Sequence, residues 1–135
     1  MPGFFTDYSN NKTLDMFFGS VAYAPPATLY LGLSTSSANK LGSTTEPSGG
    51  AYARVPVANN TVNFQAATSG TKSNSSVITF PAPTADWGTI QSVFIADAGS
   101  GGNVIAMADL SVAKSITNGS PAPKVAVGAL FLSHT

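Results

Sequence analysis

Along most of this chain, apolar residues recur in short runs that break at Gly, Pro, Asn or Ser, which is the rhythm of β-strands. The one departure lies near the start. There Leu14, Phe17 and Phe18 recur at i, i+3 and i+4, with Tyr8 and Asn11 on the turns before. The spacing predicts one short helix, capped by Thr6 or Asp7 and stopped at Gly19 by a left-handed residue. Its apolar stripe is narrow, so the helix is expected to lie over one end of the fold. Pro25-Pro26 closes this segment.

From there strand follows strand. Residues 28–33 alternate bulky apolar side chains, and 34–50 read as a long, exposed, Gly/Ser-rich loop. Residues 52–57 form a strand, and Pro56, which has no N–H to donate, argues for an edge or a bulge. Residues 62–64 are a short extended piece, 66–73 a second loop, and 77–80 a strand closed by Pro81 and Pro83. In the strand 89–96, alternation predicts Ile90, Ser92, Phe94 and Ala96 on one face and Val93 and Ile95 on the other. Residues 97–103 are a hairpin loop rich in residues that tolerate positive φ, and 104–110 return antiparallel. A strand at 112–117 meets the turn dipeptide Asn118-Gly119, and 123–132 is the last strand. About eight strands with such turn spacing predict an all-β, antiparallel β-sandwich or jelly roll with one N-terminal helix. The 135 residues suit one domain, with 1–24 as a helix-bearing segment and 25–135 as the sandwich.

Charge sharpens the picture. Only 9% of residues are charged, against about 25% in an ordinary soluble domain, and six basic residues cancel six acidic ones. No long-range field steers nucleic acid or an anionic membrane to such a surface. The longest apolar run, residues 125–132, is far short of the roughly 20 residues that span a bilayer, so neither nucleic acid nor membrane is an expected partner. A surface covered by Ser, Thr, Asn, Gly and Ala is cheap to desolvate, as the centres of protein interfaces are.

The sequence is poor in reactive groups. It has no cysteine and one histidine, His134, expected as an exposed tail residue, so no Ser/His triad and no His- or Cys-rich metal site assembles within it. Of its carboxylates, Asp7 reads as a helix cap, Asp86 and Asp97 as turn residues, and Asp109 as a partner for Lys114. Strand ends can still bring two acids together as glycosidases require, and that reading stays open. The 97–103 loop offers one carboxylate, too few for calcium, and no Lys follows its glycines as in a phosphate loop. No catalytic, cofactor or metal residue is therefore assigned. Arg54 sits in a strand, either facing solvent or paired, with Asp86 and Glu46 the partners to look for. Trp87 is either buried at a strand entry or exposed to stack on a sugar or a partner.

Four motifs carry a resemblance in their order and spacing. They are Gly49-Gly50-Ala51-Tyr52-Ala53-Arg54-Val55, Ile78-Thr79-Phe80-Pro81, Ala85-Asp86-Trp87-Gly88-Thr89-Ile90, and the run from Phe94 to Asn103. With Leu14 and the segment from Pro25 to Leu33, they resemble a family of small tailed-bacteriophage virion proteins labelled tail-fibre-like or minor structural. The likeness covers about residues 7–132. It implies a non-enzymatic virion component, assembled in the host cytoplasm, and carries over no catalytic residue.

Fibres that reach outward use coiled coils or β-helical repeats, and this chain has neither. The expected role is therefore a capsid cement or decoration protein that binds the major capsid protein or other virion subunits. A tail-fibre, tail-tip or baseplate component and a receptor- or carbohydrate-binding module are the alternatives. Self-association into a dimer or trimer is expected. The candidate contacts are the apolar ends, Phe4, Phe5, Phe131 and Leu132, together with Trp87, with the two long loops laid against neighbours.

Overall fold

The computed structural model describes residues 1–133. In chain order it has β1 (Pro2–Phe5), α1 (Asp7–Phe17), β2 (Thr28–Ser34), β3 (Val55–Ala58), β4 (Thr71–Ser73), β5 (Ile78–Thr79), β6 (Gly88–Ala96), β7 (Val104–Ile116), β8 (Lys124–Val125) and β9 (Phe131–Ser133). Seven strands form one sheet in the order β3-β2-β6-β7-β1-β9-β4, and β5 pairs with β8 in a second. The fold is all-β with one short helix, as the strand rhythm predicts. Every pairing is antiparallel except β1 with β9, which is parallel.

The main core lies between the two sheets. Leu31, Leu33, Ile90, Val93 and Ile95 of the large sheet pack with Ile78 and Val125 of the small one and with Phe80 just after β5, all at most 5% exposed. A smaller cluster of Phe94, Ala96 and Met107 occupies the other face of the large sheet. There Gly32 leaves room for Phe94, since a Cβ at that position would fall on the ring.

β6 is buried on both faces near its end, but its alternation is interrupted. Ile90 pairs with Lys114 and Ser92 with Asp109, so residues 110–113 of β7 stand against Gln91 alone. This bulge shifts the pleat. Ile90 consequently joins Val93 and Ile95 in the main core and does not share a face with Phe94, contrary to strict alternation. The two strands expected at 104–110 and 112–117 are one bulged strand.

Other elements depart from the expected pattern for identifiable reasons. The apolar ends pair with each other: β1 lies inside the sheet between β7 and β9, in register Pro2↔Phe131, Gly3↔Leu132 and Phe4↔Ser133. The expected loop 66–73 contains β4, an outer strand on β9. The expected final strand 123–132 is broken into β8 and β9 by a turn with Gly128 at φ 74°. Pro56 does lie in an outer strand, β3, the position its missing N–H argues for.

Candidate assembly surface

The family-like motifs converge on one internal framework. The Arg54 side chain, 5% exposed, forms a double hydrogen bond with Glu46, its Nε to Oε1 and its Nη2 to Oε2, both at 2.9 Å. Of the two partners the sequence offered, Glu46 is the one used. Arg54 Nη1 donates to the carbonyls of Ala98 at 2.6 Å and Gly101 at 2.9 Å, and its guanidinium lies 5.0 Å from the centre of the Phe94 ring. One cation thus ties the 34–50 loop, the 97–103 hairpin and the sheet together.

Tyr52 extends the framework, donating its hydroxyl to Glu46 at 2.8 Å and accepting the Leu33 N–H at 3.0 Å. Its ring meets Trp87 edge to face, with centres 5.3 Å apart. Trp87 Nε1 donates to the carbonyl of Gly50 at 2.8 Å. Gly50 holds φ 61°, and a Cβ there would crowd Ala85 and the indole nitrogen, so this position is fitted to glycine. Burial alone would raise the Glu46 pKa, but hydrogen bonds from Arg54 and Tyr52 and the charge of Arg54 hold it below its ordinary value. Burial first, and then the neighbouring Glu46, push the Tyr52 phenol up. Arg54 is raised mainly by its hydrogen bond to Glu46.

The other carboxylates expected in turns serve the backbone. Asp97 accepts the Asn103 N–H, and Asp86 accepts the Asn118 N–H, both at 2.8 Å. Asp109 does not answer Lys114; it accepts the Ala38 N–H at 2.8 Å. That bond, with Ser92 Oγ donating to the Ser36 carbonyl and the Asp7 N–H to the Lys40 carbonyl, straps the 34–50 loop onto its own sheet and helix. Among the described residues, no three His, Cys, Asp or Glu side chains cluster as metal ligands. His134 lies outside the described residues.

The expected contact residues divide. Trp87 is 4% exposed and belongs to the core, so it offers no ring face for a sugar or a partner. Phe4 and Phe5 are half-buried in β1, with Lys40 Nζ 5.0 Å from the centre of the Phe4 ring. Leu132 packs against the main core and covers the site where Gly3 has no side chain. Phe131, next to it on β9, is 37% exposed. The structure therefore brings the four terminal residues together, and mostly to hold the sheet.

The prominent apolar surface lies elsewhere. On and just beyond α1, Leu14 is 53% exposed, Met16 42%, Phe17 70%, Phe18 81% and Val21 53%. The expected packing of the helical stripe onto the fold is thus reversed, and the reason is local. The helix is fastened by its polar side: Ser9 Oγ donates to the Ile105 carbonyl at 2.6 Å, and Thr6 Oγ1 to the Val104 carbonyl at 2.6 Å. Thr6 occupies the N-cap position, but its hydroxyl is spent on β7 and makes no cap bond. Gly19, at φ 145°, ends the helix as expected, and the last turn projects its aromatic residues outward. The sequence signal was the company these residues keep: Thr6 and Ser9 are small polar anchors on a helix with too few apolar residues for two apolar faces.

The molecule is thus a β-rich module whose polar side chains serve as internal struts and whose exposed aromatic residues cluster at a helix end. The chain belongs to the family described as Podophage GP4 fiber I protein gp80, whose model matches residues 4–133. It is thus a tailed-phage virion structural protein of tail-fibre-like type. No curated protein matches it.

Proposed function

We propose that this protein is a non-enzymatic structural subunit of the tail-fibre apparatus, held to neighbouring virion subunits through the apolar end of α1. The family match over residues 4–133 carries this reading, because it is to a fiber family and takes in nearly the whole chain. The capsid-cement role expected from composition yields to the fibre alternative on the same ground. The exposed Phe17 and Phe18 supply what an assembly contact needs: large rings with few rotamers to freeze and no charge to desolvate. Self-association into a dimer or trimer belongs to the same proposal. The carboxylates committed to Arg54 and to backbone amides are poor candidates for turnover.

Gold-labelled antibody on purified particles tests this reading. Label on the tail or its fibres is the expected result. Label in hundreds of copies over the head lattice would return the cement role, and unlabelled particles would refute both.

A further inference from the structure

Between the two sheets the core is incompletely filled. A cleft of about 260 Å³ opens there, walled by Leu33, Ile90, Val93, Ile116 and Val125, with Phe80 as its one aromatic residue. The bulge in β7 brings Leu110 to the same cleft. Two of the chain's six basic residues, Lys114 and Lys124, line it, and no carboxylate does. Both lysines are exposed, and among the described residues neither has a hydrogen-bond or ion-pair partner. No buried side-chain polar atom among the described residues lacks a hydrogen bond, so the cleft holds no polar group waiting for a sugar hydroxyl.

We propose that this cleft binds a free medium-chain alkyl carboxylate, its chain between the sheets and its carboxylate between Lys114 and Lys124. The aliphatic walls select an alkyl chain, and two unpaired cations with no opposing acid select an anionic head. The volume lies just under the roughly 300 Å³ at which pockets for drug-sized ligands begin, which limits the occupant to a chain of medium length. The site does not depend on where in the virion the protein resides.

Calorimetric titration of the purified full chain with hexanoate, octanoate, decanoate and dodecanoate tests it, with octanol as the uncharged control. Affinity should rise about fourfold per methylene while the chain fits and then level off. The double variant Lys114→Gln/Lys124→Gln should weaken carboxylate binding about three- to tenfold at low salt and leave octanol unchanged. Ala129→Leu, which narrows the cleft, should weaken both ligands. Should that variant not fold, the lysine pair still decides. Three results would overturn the proposal: no saturable binding of any carboxylate, decanoate binding indifferent to loss of both lysines, or binding that a folded Ala129→Leu variant leaves intact.

Discussion

Two residues show how this chain spends its scarce polar side chains. Asn74, 1% exposed, accepts the Leu130 N–H and donates to the carbonyls of Ser76 and Ala126, holding the turn between β8 and β9 against the connection between β4 and β5. Replacing it with Ala leaves buried backbone groups unpaired, and denaturant titration should show a loss of about 2–4 kcal/mol. Arg54→Met cuts the tie among two loops and the sheet and leaves Glu46 without its cation, for a loss of about 2–4 kcal/mol. Glu46 adds a pH dependence. Its folded pKa lies below the ordinary 4.5, so the unfolded chain binds more protons in that range and stability falls with pH. The contribution is intact above about 4.5 and is lost as pH drops through the lowered value. Melting curves from pH 7 to 3 should show a decline that Glu46→Gln reduces; an unchanged decline would contradict this assignment.

At the scale of elements, α1 inverts the usual relation between helix and core. Small hydroxyls fasten it and its apolar residues face outward. Ser9→Ala should therefore destabilise the isolated protein by about 0.5–1.5 kcal/mol, because the Ile105 carbonyl loses its shortest hydrogen bond and keeps the Thr6 N–H. The double substitution Phe17→Ser/Phe18→Ser should move stability by no more than about 0.5 kcal/mol while lowering incorporation into particles at least tenfold, read by quantitative mass spectrometry of purified virions. Much of the element pattern was legible from residue spacing alone. Residues 28–33, 89–96 and the 97–103 hairpin form the elements expected there, since strand and turn signals are local, although Ile90 changes face within its strand. What was not legible depended on distant pairing. Residues 2–5 carry no strand pattern beyond two phenylalanines, and they become a strand because β7 and the end of the expected last strand lie on either side. The β7 bulge is likewise invisible, because four residues set against one is a property of the pair.

For the whole molecule, low charge is the organising fact, and only part of its meaning was legible. On the proposed reading, it leaves assembly to apolar and backbone contacts. The residues that make such contacts were sought at the termini and at Trp87, whereas the sheet claims most of those and exposes the helix end. Attachment through uncharged surface should change little between low and molar NaCl, measured as copies retained per particle; stepwise loss with salt would point to ion pairs. The most direct test of the account is a density map of the intact particle at side-chain resolution. The protein should sit on the tail-fibre apparatus with Phe17 and Phe18 covered by a neighbouring subunit. A subunit in register with the head lattice, or one on the tail whose helix end is bare to solvent, would contradict it.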